Sequence, residues 1–304
     1  MGVEDSVQLA LEAIDDRIKE EIRPSELAAL ANYSTYHFCR VFGSLVGTPI
    51  MAYVTRRKLD FALYDLSLGR KVIDVAMDYG FGTHAGFTKA FKKCFGYPPS
   101  LYHLHVNAQP PGKPALGSIQ SRTGGIKHMH VAIMEKEPIL VVGFESRHTM
   151  PQVKRVSDIP AFWDTMSMEY GPMLSRLHHT FTQSEHCEYS VCYNVDEHTG
   201  EFSWVLGVGV DNQEDKGKIE ADMCQKVIPG GLYAIFTTPR VPEKEYPQSI
   251  PAAWKEILTN WLPNSDYEYD ESRLDFERYD ERDHAWLHEG TCQMEIAIPI
   301  RLRQ

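Results

Sequence analysis

Apolar residues follow two regimes along this chain. In the first hundred residues they recur at helical spacing. Leu9, Leu11, Ile14 and Ile18 form one stripe that stops near Arg23-Pro24. Short apolar helices are predicted over SELAALA (25–31) and VIDVAMD (72–78), each followed by a small-residue turn, around Ala31-Asn32 and around Gly80. A helix start signal comes next in both places: Ser34 before TYHFCRVF, and Thr83 before HAGFTKAF. Residues 48–69 read as one long helix, with Tyr53, Leu59, Ala62, Leu63 and Leu66 at helical spacing and Gly69 at its end. From His128 the pattern changes to strand-like alternation.

The two helix pairs are copies of each other. Phe38/Phe87, Phe42/Phe91, Gly47/Gly96, Pro49/Pro98 and Tyr53/Tyr102 are identical at an offset of 49 residues, and Ser34/Thr83 and Arg40/Lys89 are conservative partners. Two helix-turn-helix units on one chain, joined by a rigid helix, can set two helices in successive major-groove turns, roughly 34 Å apart. DNA binding is therefore the first hypothesis. The phenylalanines are expected to pack in the core of each unit.

A second repeat lies in the strand-rich region. IPAFW (159–163) recurs as IPAAW (250–254), with ILVVGFES and LYAIFTT ahead of them and WVLGVGV and MEIAIPI behind. The expected fold class is multidomain. An all-α N-terminal domain (1–106) holds two helix-turn-helix units joined by a long helix. A linker (107–126) follows, rich in Pro, Gly and Ser with little that could pack. An α+β C-terminal domain (127–304) is built from two pseudo-symmetric strand-helix-strand repeats, whose central cleft is a natural small-molecule site.

Charge supports this division. The 304 residues carry a net charge of −11, yet residues 34–106 hold nine basic and four acidic groups. The basic excess coincides with the repeat, as contact with phosphates requires. Six scattered cysteines form no CxxC pair, so neither a zinc framework nor disulfides are expected. There is no signal-like apolar core and no run of membrane-spanning length, which points to a reduced, cytoplasmic setting. No GxSxG, GxGxxG or phosphate loop occurs, and no cofactor is expected. His178, His179, His186 and Cys187 cluster, but without a carboxylate partner at a family spacing, so no metal is expected. His103, His105, His128 and His130 border the linker and are expected to face solvent.

The stretches LAALANYSTYHFCRVFGSLVGTPIMAYV and VIDVAMDYGFGTHAGFTKAFKKCFGYPPSLY resemble the AraC/XylS family of transcription regulators. The second carries A-x-x-x-GF, then F-x-x-x-F-K and G-x-x-P. Residues 127–304 resemble GyrI-like effector-binding domains, with DFERYD (275–280) and EIAIPI (295–300) as markers. The resemblance implies a transcription regulator with double-stranded promoter DNA, a small-molecule effector and RNA polymerase as partners, and no membrane. It places base-reading side chains at Tyr36, Cys39 and Arg40 in the first unit and at His84, Ala85, Thr88 and Lys89 in the second. Lys92 and Lys93 are expected on phosphates. Cys39 and Ala85 stand where relatives carry a polar residue and a glutamine.

For the effector, the resemblance implies a glutamate that holds a cationic, amphipathic ligand of the multidrug kind. Here that residue is Glu277, which alternation places on one face with Asp275 and Tyr279, opposite Phe276. Tyr193, Trp204, and Tyr233 or Phe236 are the candidate aromatics, and Trp163 and Trp254 are either ligand contacts or core. The alternative for Glu277 is a solvated strand within the acidic stretch 266–289. Three functions remain in competition: an effector-controlled regulator without enzymatic activity, a hydrolase using Glu277 beside Tyr193, and a drug-sequestering module with vestigial DNA binding.

Overall fold

In the computed structural model, residues 2–106, 110–116, 129–149, 171–181, 186–196, 201–210 and 215–303 are described. Residues 3–105 form seven helices: α1 (Val3–Asp16), α2 (Pro24–Leu30), α3 (Thr35–Val46), α4 (Ile50–Ser67), α5 (Val72–Asp78), α6 (His84–Phe95) and α7 (Pro99–His105). The chain divides into two compact units, 1–94 with 108–125, and 95–107 with 126–304.

In the helical unit the two pairs end their first helices in the same way. Asn32 and Gly80 adopt left-handed backbone, φ 58° and 78°. Tyr33 N then donates to Ala28 O, and Phe81 N to Ala76 O, both at 2.9 Å. This closes α2 and α5 with orphan carbonyls satisfied. The second turn is one residue longer, and Gly82 is the extra residue. It does not undo the cap, because Thr83 Oγ1 accepts from Gly86 N at 3.0 Å, as Ser34 Oγ accepts from His37 N in α3.

Phe38, Phe42, Phe87 and Phe91 are fully buried, as expected. Phe42 meets Tyr53 of α4 edge-on at 5.6 Å. Asp65, on α4, accepts from Lys19 Nζ just after α1, Arg70 Nη1 ahead of α5 and Tyr79 OH at the end of α5. Arg57, on the same helix, forms a two-pronged pair with Asp15 of α1. The connector is thus fastened along its length.

The expected linker is partly structured. Gln8 Nε2 donates to Pro114 O and Gln8 Oε1 accepts from Leu116 N, while Arg57 Nη2 donates to Gly112 O at 2.9 Å. Residues 110–116 therefore belong to the helical unit's own packing: backbone groups of a Pro/Gly-rich stretch found side-chain partners on α1 and α4. The packing also differs from the expected 1–106 boundary, because α7 is built into the second unit.

Among the described residues, the second unit is built on a nine-stranded antiparallel sheet. Its strands are β1 (His130–Lys136), β2 (Ile139–Thr149), β3 (Cys187–Tyr193), β4 (Glu201–Gly209), β5 (Cys224–Ile228), β6 (Gly231–Thr237), β8 (Tyr267–Tyr269), β9 (Phe276–Asp280) and β11 (Glu295–Leu302). The order is β1-β6-β11-β9-β3-β4-β2-β5, with β8 pairing β11. A small separate ladder joins β7 (Val241–Pro242) to β10 (Thr291–Cys292). Gly143 and Gly207 face each other across β2 and β4, where a Cβ on either would strike the opposite backbone. Only glycine permits that close approach.

One face of the sheet closes over Val141, Tyr189, Val191, Val205, Tyr233 and Phe276. The other carries the helices that matter for function: residues 171–180, Tyr246–Glu256, and α7, which packs against Tyr246–Glu256. The IPAFW helix expected over 159–163, Trp163 included, lies outside the described residues.

Candidate effector cavity and DNA-reading helices

β3 pairs with β9 so that Ser190 stands opposite Glu277 and Glu188 opposite Tyr279. β4 on the other side sets Leu206 against Ser190 and Trp204 against Cys192. Opposed residues and their neighbours two positions away share a face of a pleated sheet. Glu188, Ser190, Trp204, Leu206, Glu277 and Tyr279 therefore point the same way, and all line one cavity of about 340 Å³. That is large enough for a small organic molecule.

A helix roofs this floor. Tyr246, Ile250 and Trp254 recur at i, i+4 and i+8 along Tyr246–Glu256, so one helix face supplies three cavity-lining side chains. Pro251 lies inside this helix, which runs on into a π-helical segment, Ile257–Trp261. α7 completes the wall with Leu104 and His105.

Glu277 is one of three carboxylates that line this mostly apolar space, with Glu188 and Asp283. Its Oε1 accepts from Trp254 Nε1 and its Oε2 from Tyr279 OH, both at 2.7 Å. Burial, reinforced by the Glu277 charge, holds the Tyr279 hydroxyl well above the ordinary phenol range, so it stays a donor. Among the described residues no lysine or arginine pairs with Glu277. Both of its hydrogen-bond donors are therefore neutral groups, and neither supplies a positive charge. Trp204 Nε1 is occupied by Ser190 Oγ at 2.9 Å, which fixes the indole as a wall. Burial pushes Asp283, another lining residue, up to about 6.

His105 corrects the expectation of a solvent-facing residue. Its side chain is 8% exposed and stacks on Trp254 at 3.7 Å, with Nε2 3.5 Å from Asp275 Oδ1. His130 is exposed, the side chain of His103 lies outside the described residues, and His128 is also outside them.

Three other candidates are not at the cavity. Tyr193 lies on the opposite sheet face, because it is three positions from Ser190; its ring takes Lys226 Nζ at 3.2 Å. The pairing of Glu277 with Tyr193, on which the hydrolase alternative rested, is not made. Tyr233 is buried in the opposite core, with its hydroxyl donating to Pro229 O and Leu274 O. Phe236 is buried against Trp261. Both lie on β6, which is two strands away from β9, beyond the cavity floor. The aromatic-apolar-aromatic spacing of YPQSIPAAW was the overlooked signal for Tyr246 and Ile250. Nothing local in the sequence pointed to His105.

In the helical unit, Tyr36 is 75% exposed and Arg40 lies one turn on, its guanidinium 6.0 Å over the Tyr36 ring. Cys39 beside them is half-buried. On α6, Ala85, Lys89 and Lys93 are exposed and His84, Thr88 and Lys92 half-buried. Both second helices thus present their named residues, wholly or in part, at the surface.

The family of integron-associated effector-binding proteins, Cass2, matches residues 132–300, more than half of the chain. The chain belongs to this family. A helix-turn-helix domain of the AraC type matches residues 27–104 and precedes the Cass2 domain. That match ends at Leu104, whose side chain lines the Cass2 cavity. The transcriptional activator AarP of Providencia stuartii is 34% identical over 92 residues, 30% of this chain and 68% of its own. The right origin-binding protein of Escherichia coli K12 is 34% identical over 90 residues, 29% of this chain and 31% of its own. The chain thus spans about a third of the length of that relative. An integron cassette protein from the mobile metagenome of Vibrio cholerae aligns over 58% of this chain and 97% of its own, with 17% identity and a TM-score of 0.33. No single described helix is long and apolar enough to cross a membrane.

Proposed function

We propose that the chain is a promoter-binding transcription regulator whose Cass2 cavity takes an amphipathic organic cation as effector. The observation that carries this reading is Glu277: a carboxylate without a cationic partner, set among Trp204, Trp254 and Leu206. A guest with a delocalised positive charge recovers for the carboxylate what burial removes, and the indole faces add cation–π attraction. RNA polymerase is the natural third partner of such a regulator.

The same reading gives the effector a route to the DNA-binding helices. α7 follows α6 directly in the chain, and its His105 is part of the cavity wall. An effector that favours one position of His105 biases α7, and therefore α6, by the difference of its affinity for the two positions. The sign of the response, activation or repression, follows from that difference.

We also infer that the Cass2 domain is an internal duplication. The strand order supports it: read from either end, it exchanges β1 with β5, β6 with β2, β11 with β4 and β9 with β3. The cavity floor crosses the β9–β3 seam, the centre of that exchange.

Trp204 and Trp254 supply a direct test. A lipophilic quaternary ammonium titrated into the full chain should quench their emission saturably, and a neutral isostere should do so only at much higher concentration. Equal response to both would remove the cationic part of the reading.

A further inference from the structure

At one edge of the cavity three side chains converge that effector binding by Glu277 does not use. Glu188, near the start of β3, is 8% exposed and faces the cavity. His178, on the helix 171–180, places Nε2 2.6 Å from Glu188 Oε1. His186, just ahead of β3, places its Nε2 3.8 Å from the same oxygen. The two imidazoles lie face to face, centroids 4.1 Å apart and planes 19° from parallel. The ligand atoms of all three residues fall within 4.8 Å of one another. The carboxylate that spacing alone did not supply to the histidine cluster is Glu188.

We propose that His178, His186 and Glu188 form a binding site for a divalent transition-metal ion of the zinc, cobalt or nickel class. Two imidazole nitrogens and one carboxylate oxygen are a three-ligand set that leaves a fourth position open. Such a set disfavours calcium and magnesium, which prefer oxygen ligands, and copper(I), which prefers sulfur. Bonds of about 2.0–2.2 Å at tetrahedral angles need donors about 3.4 Å apart, so His178 Nε2 and Glu188 Oε1, 2.6 Å apart, must open a little, and His186 Nε2, 3.8 Å from that oxygen, must move in. His186 can do this: its side chain is 42% exposed, whereas His178 and Glu188 are held at 17% and 11%. Glu188 is itself part of the cavity wall, so the metal would sit at the cavity's edge. The metal site is separate from Glu277, which lies diagonally across the β3–β9 ladder from Glu188.

The test is a titration of the chelator-stripped full chain with Co²⁺ alone, read by its visible absorption, and then displacement by Zn²⁺. One equivalent should bind saturably with the intense bands of a low-coordinate site. His186→Ala removes an exposed side chain and should leave the fold intact. It should weaken binding by at least the roughly 10–100-fold that follows loss of even an outer partner of a metal ligand. His178→Gln should do the same. No saturable binding to the wild type would overturn the assignment. So would binding that is equal in wild type and His186→Ala, since the other histidines would then be responsible.

Discussion

His105 lies flat on Trp254, ring centroids 3.7 Å apart and planes 8° from parallel. Trp254 in turn donates to Glu277. A residue at the end of the last helix matched by the DNA-binding family thus stands one ring away from the cavity carboxylate. The contact gives the proposed coupling a concrete form. His105→Ala should reduce the effect of the effector on DNA affinity more than it reduces effector affinity itself. DNA binding measured with and without effector, in wild type and variant, checks this. An undiminished effector response in the variant would exclude α7 as the route.

Base reading and phosphate contact make different demands on the two second helices. If Arg40 pairs with guanine, Arg40→Ala should cost about 1–3 kcal/mol against the specific duplex and relax preference at one base pair. Lys93→Ala should lower affinity for all duplexes and flatten the salt dependence. Competition titrations at several salt concentrations separate the two. Equal losses of Arg40→Ala on specific and random DNA would assign Arg40 to phosphate.

The helical unit depends on its repeated phenylalanines. Phe42 has no exposure and packs on both Phe38 and Tyr53. Phe42→Ala should destabilise that unit by about 3–5 kcal/mol. Urea unfolding followed by circular dichroism should show its transition at markedly lower denaturant, and DNA binding should fall with it. A midpoint close to wild type would mean that the site collapses without a cavity.

Legibility followed the range of the interactions. Caps, turns and helical stripes are local, so the helix-turn-helix repeat could be read directly, down to Ser34 and Thr83 as start signals. The face of Glu277 was also legible, because alternation in LDFERYD is a local pattern. Tyr193 was misplaced because its face depends on the register between β3 and β9, in which Ser190, not Tyr193, opposes Glu277. Tyr233 and Phe236 were misplaced because aromatic composition does not say which strand borders a cavity. His105 was hidden for a stronger reason: its partner Trp254 lies far along the chain, and the proline-rich stretch after it suggested a solvent-exposed domain edge.

Cation affinity should depend on pH through Asp283. Burial raises its carboxyl to about 6, opposed by His284 Nδ1 at 3.0 Å from Oδ1 and reinforced by the charges of Glu188 and Asp280. Below about pH 6 the group is neutral; above it, the cavity wall gains a negative charge. Affinity for an organic cation should therefore rise between about pH 5 and 7, while a neutral isostere shows a flatter profile. Asp283→Asn should flatten the rise. A rise that persists unchanged in that variant would place the titrating group elsewhere.

Calorimetry of wild type and Glu277→Gln against a matched cationic and neutral ligand tests the central claim most directly. The substitution keeps size and hydrogen-bonding capacity but removes the charge. Cation affinity should fall about tenfold to a hundredfold, the ~1.5–3 kcal/mol of a charged hydrogen-bonded contact, while the neutral ligand binds both proteins alike. Cation affinity unchanged by the substitution, or equal losses for both ligands, would contradict the account.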